Sequence, residues 1–166
     1  MSTPGRQQSL RIGVGGCGRM GQKHAINCSR IEGVKVSAVA DEDMERAIAL
    51  AHRIGATPYQ SAEAMIAEGA LDALVVATPP GQRLGIVMAA TAARVAVLAE
   101  KPIALDMATA QALCGAAQKA SVVNAVGFHL RYSSLTQRAR ALISGRRIAL
   151  VRTLTTTGYY LKMDMP

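Results

Sequence analysis

The sequence predicts an α/β protein with a doubly wound, mostly parallel sheet. Short apolar strands alternate with helical segments along the 166 residues, which is typical of right-handed βαβ units. Residues 71–77 are apolar at nearly every position, as expected of a strand that is buried on both faces. Half of the residues are apolar but only 3% are aromatic. The core is therefore expected to consist of Ala, Val, Leu, Ile and Met side chains between helices and a sheet.

The first predicted strand runs directly into a glycine-rich turn, in the segment LRIGVGGCGRMG that begins at Leu10. Two registers of the pattern G-x-G-x-x-G overlap there. The later register keeps Leu10 to Val14 in one extended run, so we place the pattern at Gly16, Gly18 and Gly21. In a dinucleotide-binding fold such glycines make the tight turn, admit the pyrophosphate close to the backbone, and let the next helix pack closely.

The second predicted strand, residues 34–40, ends at Asp41, which is 20 residues after Gly21. An acid at this distance typically accepts hydrogen bonds from the adenosine ribose. Its charge, reinforced by Glu42 and Asp43, would repel the 2′-phosphate of NADP, so the pattern favours NAD over NADP. Asp41 could also cap the helix that begins near Asp43, and the two roles are compatible.

The remaining elements continue the alternation. Ser61 and Asp106 are suited to cap helices, and Gly55 is suited to end one. Helices are predicted over residues 19–30, 43–53, 83–93, 107–119 and 133–143, with a short one after Ser61, and strands over residues 57–59, 71–77, 95–99, 122–127 and 148–156. Ligands bind such sheets at the carboxyl ends of the strands. Five segments are expected to meet in one crevice there, namely residues 16–21, 41, 78–80, 100–102 and 127–131.

These motifs together resemble the family of glucose-fructose oxidoreductases and inositol dehydrogenases, often called Gfo/Idh/MocA. The resemblance covers about residues 11–152. It is carried by GCGRMG at residues 16–21 with His24 three residues further on, VAD at 39–41, ATPP at 77–80 and EKP at 100–102. It implies a Rossmann domain that binds NAD or NADP, and an oxidoreductase that transfers hydride between the nicotinamide and a secondary alcohol of a sugar or polyol.

The resemblance also implies roles for individual residues. In the family, the lysine of the EKP motif contacts the reacting hydroxyl, so Lys101 is the predicted catalytic residue; an exposed loop lysine is the alternative. The predicted cofactor-binding residues are Gly16, Cys17, Gly18, Arg19, Met20, Gly21, Asp41, Glu42, Ala77, Thr78, Pro79, Pro80, Glu100 and Lys101. His129 and Arg131 are candidates for the substrate side. His24 is expected to be a packed or hydrogen-bonded helix residue.

Three departures from the family pattern stand out. Arg83 and Arg94 occupy positions where the family commonly has histidine and glycine. Family members also carry a second, sheet-containing domain that supplies most of the substrate pocket. We expect a disordered segment over residues 1–8, the dinucleotide-binding domain over residues 9–146, and a remnant of a second α+β domain over residues 147–166.

The missing walls leave two interpretations open. One is the cofactor domain of a dehydrogenase, and the other is a non-catalytic dinucleotide-binding module that acts through a protein partner. We do not expect these residues to catalyse efficiently by themselves, because dehydrogenases need a positioned substrate and a site closed to water. The β-rich residues 148–161 would expose an edge unless they pair, so we expect a homo-oligomer formed through this strand.

Charge and composition narrow the class further. The net charge is +8, and eight basic residues follow residue 107 while Asp164 is the only acid there. This surface could meet an anion or an acidic partner, but no aromatic interleaving or known module favours nucleic acid. The three cysteines share no metal or redox spacing, so no metal site is expected. No apolar stretch reaches the ~18 residues of a membrane span, and no signal peptide is evident. We expect a soluble, cytoplasmic protein.

Overall fold

The computed structural model describes residues 9–150, which divide into two compact units, residues 1–128 and 129–166. The first unit carries a six-stranded sheet. Its strands are β1 (Leu10–Gly15), β2 (Val34–Ala40), β3 (Thr57–Tyr59), β4 (Ala73–Val76), β5 (Ala96–Ala99) and β6 (Asn124–Val126). Its α-helices are α1 (Arg19–Cys28), α2 (Met44–Ile54), α3 (Ala62–Glu68), α4 (Arg83–Ala92) and α5 (Met107–Ala120).

All neighbouring strands pair in parallel, in the order β3-β2-β1-β4-β5-β6. The order reverses between β1 and β4, which makes this the switch point of a doubly wound sheet. Gly15, the last residue of β1, lies opposite Ala40 in β2 and Val76 in β4. The carboxyl ends of the three central strands therefore lie side by side, and the predicted fold class is confirmed.

Two apolar clusters cover the two faces of the sheet. Val14, Val39 and Val75 pack with buried residues of α1 and α2. Leu74, Val76 and their neighbours pack with buried residues of α3, α4 and α5. Successive residues of β4 point to opposite clusters because side chains alternate along a strand, and this explains why its sequence is apolar without interruption.

Local capping fixes where the helices begin. The Asp43 carboxylate accepts hydrogen bonds from the N–H groups of Glu45 and Arg46 at the start of α2. Ser61 and Asp106 cap α3 and α5 in the same way, as their positions predict. Helix α2 ends at Gly55, whose φ of +70° lies in the left-handed region that favours glycine.

The second unit contains a short 3₁₀ helix, His129–Tyr132, followed by α6 (Ser134–Ile143). No side chain in its described residues, 129–150, is buried. The predicted strand at residues 148–156 does not form over residues 148–150, and its other residues lie outside the described range, as do the N-terminal residues 1–8. The domain boundary after residue 146 stays a prediction. Within residues 9–150, no helix is long and apolar enough to cross a membrane.

Candidate functional site

The glycine-rich turn connects β1 to α1 with no space for side chains at two positions. Gly16 has a φ of +91°, and a Cβ there would lie 2.8 Å from backbone atoms of Ala77 and Thr78. A Cβ on Gly21 would lie 1.6 Å from the carbonyl oxygen of Gly16, so α1 packs directly against the turn. Because Gly15 still belongs to β1, the turn adopts the register that begins at Gly16.

Gly18 differs from these two glycines because its missing side chain faces open space. A Cβ there would have no atom within 4 Å. Gly18 is also the N-cap residue of α1, and no side chain caps this end of the helix. The first turn of an α-helix has N–H groups without intrahelical partners, and its dipole favours negative charge. An anionic group can therefore approach the backbone at Gly18.

A crevice of about 640 Å³ opens beside this turn, at the carboxyl ends of the central strands. This volume lies within the usual range for small-molecule sites. Seven of the predicted residues line the crevice, namely Gly16, Gly18, Asp41, Glu42, Ala77, Thr78 and Pro79. It is also lined by Ala40, Arg46, Ser61, Ala62, Glu63, Gln82 and Ile86, which the sequence did not single out as site residues.

Asp41 lies at the end of β2 and is bonded to the glycine-rich turn. Its Oδ2 accepts a hydrogen bond from the backbone N–H of Cys17, at 2.7 Å. Its Oδ1 accepts another from the N–H of Asp43, at 2.9 Å, and forms an ion pair with Arg46, at 3.4 Å. A carboxylate has about four lone-pair sites, so Oδ2 retains capacity for one further donor. Asp43, rather than Asp41, caps α2.

Two further contacts shape the adjoining wall of the crevice. The Gln82 side chain donates to the Glu42 carboxylate, at 3.1 Å, and so joins the segment before α4 to the loop after β2. Arg46 lies in the first turn of α2, five residues after Asp41. Its position beside the end of β2 follows from the short connection between β2 and α2, and this spacing is the signal that could have identified it.

Cys17 contributes its backbone rather than its side chain. The thiol is fully buried, and burial, followed by the charge of Asp41, raises its pKa to about 12. A thiol with such a pKa is a poor nucleophile at neutral pH. Arg19, Met20, Gly21 and Pro80 do not line the crevice, although all four adjoin residues that do.

Glu100 and Lys101 follow β5, the strand next to β4. The Glu100 side chain is almost wholly buried, and its carboxylate accepts a hydrogen bond from the Lys101 N–H, at 3.0 Å, and contacts Nε2 of His24, at 2.8 Å. Burial raises the pKa of this carboxyl, but the hydrogen bonds from His24 and Lys101 outweigh burial and hold the pKa below its usual value. The expectation that His24 is a hydrogen-bonded helix residue is confirmed, whereas Lys101 is exposed.

The substrate-side candidates belong to the second unit. His129 and Arg131 lie in the short 3₁₀ helix His129–Tyr132, and both are exposed. Their role on the substrate side stays a prediction. In the part of the chain that the structure describes, no group of three or more His, Cys, Asp and Glu side chains could hold a metal ion.

The reversal of strand order, the glycine-rich turn and the acid at the end of β2 together define a dinucleotide-binding Rossmann domain. Comparison with known families agrees. The model of the Gfo/Idh/MocA family, described as an oxidoreductase family with an NAD-binding Rossmann fold, matches residues 10–128. The chain belongs to this family, and these residues form its NAD-binding domain.

Individual relatives are dehydrogenases. The chain is 40% identical over 102 residues to an inositol 2-dehydrogenase of Leifsonia xyli subsp. xyli, covering 61% of this chain and 30% of that protein. It is 34% identical over 131 residues to a UDP-N-acetylglucosamine 3-dehydrogenase of Acidithiobacillus ferrooxidans, covering 79% and 41%. The chain thus spans less than half the length of these relatives.

A solved structure shows the same fold. Scyllo-inositol dehydrogenase from Lactobacillus casei, with bound NAD(H) and scyllo-inositol, matches with a TM-score of 0.77 and 24% identity. The match covers 81% of this chain and 41% of that structure.

The buried Glu100 carboxylate predicts a defined pH dependence of stability. Because its pKa is lowered by folding, its stabilising contribution is complete above the pKa of the unfolded chain, about 4.3, and is lost as the pH falls through the lower pKa of the folded protein. Glu100→Gln should therefore lower the free energy of unfolding by about 1 to 3 kcal/mol at pH 7. The difference from the unmodified protein should shrink between pH 5 and pH 3.

Urea unfolding at these pH values measures both quantities. Glu32→Gln, at an exposed acid in the loop before β2, is the matched control and should change the stability little at any pH. A Glu100→Gln variant that is as stable as the unmodified protein at pH 7 would contradict the role given to this carboxylate.

Proposed function

We propose that residues 9–128 bind NAD in the crevice, and that the chain is the cofactor-binding part of a dehydrogenase acting on a secondary alcohol of a sugar or polyol. The observation that carries the proposal is the hydrogen bond between Asp41 and the Cys17 N–H. It joins the acid suited to bind a ribose to the turn suited to bind a pyrophosphate, so both sites face one crevice.

Two features of the crevice fit such a dinucleotide. Gly18 leaves a space that a Cβ would enter, at the N-terminus of α1. The Thr78 hydroxyl oxygen, across the switch point on the loop after β4, is buried and has no hydrogen-bond partner among the described residues. A buried polar group without a partner costs free energy, and a ligand that supplies a hydrogen bond there would recover it.

The charges around the ribose position favour NAD over NADP. Asp41 and Glu42 both line the crevice and would repel a 2′-phosphate. Arg46 lies in the same wall and pairs with Asp41, so it moderates this repulsion. We therefore propose a preference for NAD that is set by the Asp41 charge, with NADP bound more weakly rather than excluded.

When bound, the nicotinamide accepts or donates the hydride. Lys101 is proposed to contact the reacting hydroxyl, where its ammonium group can hold the hydroxyl in place and help move its proton. Support comes from its position after β5, at the same edge of the sheet as the turn, and from the relatives. Their names describe oxidation of ring alcohols. The substrate walls are not among the described residues, so the activity is proposed for the complete protein.

The cofactor preference is tested by Asp41→Asn. The amide oxygen can still accept the hydrogen bond from Cys17, so the turn should be preserved while the charge is removed. We expect NADH to bind more weakly and NADPH more tightly, and the ratio of their dissociation constants to change by about tenfold, which is ~1.4 kcal/mol. Titration of nicotinamide fluorescence measures both constants, and the absence of Trp keeps the background low.

Asp72→Asn is the matched control for this substitution, because Asp72 pairs with Arg11 away from the crevice. It should leave the ratio unchanged. If Asp41→Asn also leaves the ratio unchanged, the assignment of Asp41 to the ribose is wrong.

Catalysis is tested with a panel of inositols and sugars in the presence of NAD. We expect reduction of NAD by the protein, and a loss of about 100-fold or more in Lys101→Ala, with little change in NADH affinity. Lys119→Ala removes another exposed lysine, on α5, and should retain activity. NADH binding without turnover would instead support the alternative, a dinucleotide-binding module that acts through a partner.

A further inference from the structure

Arg83 joins two loops at the carboxyl edge of the sheet. It is the first residue of α4 and is only 3% exposed. Its Nε and Nη2 both donate to the carbonyl oxygen of Thr78, at 3.0 and 2.7 Å. Its Nη1 donates to the carbonyl oxygens of Glu100 and Pro102. One side chain therefore binds both the loop after β4 and the loop after β5.

All of these acceptors are backbone carbonyls. Burial lowers the pKa of Arg83, while the charge of Glu100 acts in the opposite direction. An arginine side chain is not deprotonated in proteins, so its charge must be satisfied where it is buried. Three converging carbonyl oxygens can satisfy it only if both loops keep their present positions. The cost of burying the guanidinium thus links the two loops.

These bonds fix the backbone on both sides of Lys101. In the peptide unit between Glu100 and Lys101, the carbonyl oxygen is held by Arg83 and the N–H by the Glu100 carboxylate. The carbonyl oxygen of Pro102, the next residue, is held by Arg83 as well. The Lys101 side chain is exposed, so its direction depends on this fixed backbone rather than on packing of the side chain itself.

We propose that Arg83 is a positioning residue that locks the Lys101 loop, residues 100–102, onto the loop that carries Thr78. The inference rests on the proposed function in that this fixed loop forms the wall for the nicotinamide half of NAD. The adenosine and pyrophosphate half is held separately, by Asp41 and the glycine-rich turn. Loss of Arg83 should therefore affect the nicotinamide half selectively.

The first measurement needs no cofactor. Amide hydrogen exchange of Lys101, read by NMR, should be about tenfold faster in Arg83→Gln, because charge-assisted hydrogen bonds that hold the loop are removed. Arg94→Gln removes an exposed arginine near the end of α4 and should leave this rate unchanged. Amides in the centre of β1 report whether the variant is folded, and their protection should persist.

The second measurement compares two ligands. Arg83→Gln should lower the affinity for NADH by about tenfold and reduce the fluorescence enhancement of the bound nicotinamide, while the affinity for ADP stays within twofold. A substitution that only destabilised the fold would weaken both ligands alike.

Chemical rescue provides a third measurement. In Arg83→Ala, guanidinium chloride at a concentration below that which unfolds the protein should restore slow exchange at Lys101, since it can occupy the vacated position. Sodium chloride at the same ionic strength should not. Arg83→Lys retains the charge but not the planar fork, and should recover only part of the protection.

The outcomes separate this inference from the proposed function. If the unmodified protein binds neither NADH nor ADP but Arg83→Gln still accelerates exchange at Lys101, the cofactor proposal fails and the link between the loops stands. If the unmodified protein binds NADH and Arg83→Gln changes neither the Lys101 exchange nor the ratio of NADH to ADP affinity, the positioning role of Arg83 is wrong.

Discussion

The arrangement of the site depends on the close packing of α1 against the glycine-rich turn. At Gly21 a single Cβ would lie 1.6 Å from the carbonyl oxygen of Gly16, so any side chain there would push the helix away. The packing brings the N-terminus of α1 to the end of β1, at the point where the strand order reverses. A site for a phosphate group therefore results from backbone geometry, with no cationic side chain needed to create it.

Separate sets of contacts hold the two ends of the crevice region. On one side, Asp41 connects β2 to the turn and carries the charge that distinguishes between cofactors, moderated by Arg46. On the other side, Arg83 connects the loops after β4 and β5 through backbone carbonyls. Substitutions on one side can therefore alter cofactor choice without moving Lys101, and substitutions on the other can move Lys101 without altering cofactor choice.

Local patterns in the sequence predicted most of the fold. Strands β2 and β3 have the predicted bounds, and Ser61 and Asp106 cap helices as expected, because these features depend on neighbouring residues. Helix α1 ends at Cys28 rather than at residue 30. The contacts of Arg83 were not predictable in this way, since its partners lie 17 and 19 residues further along the chain. The sequence marked it only as a departure from the family pattern.

The central claim is that a dinucleotide lies on the glycine-rich turn with its pyrophosphate at the N-terminus of α1. The most direct measurement is an NMR titration of the labelled protein with NADH, following the backbone amide signals. The account predicts that the largest shifts occur at Gly18 and the first residues of α1, together with residues around Asp41 and Thr78. Shifts confined to other parts of the chain, or no saturable shifts at these amides, would contradict it.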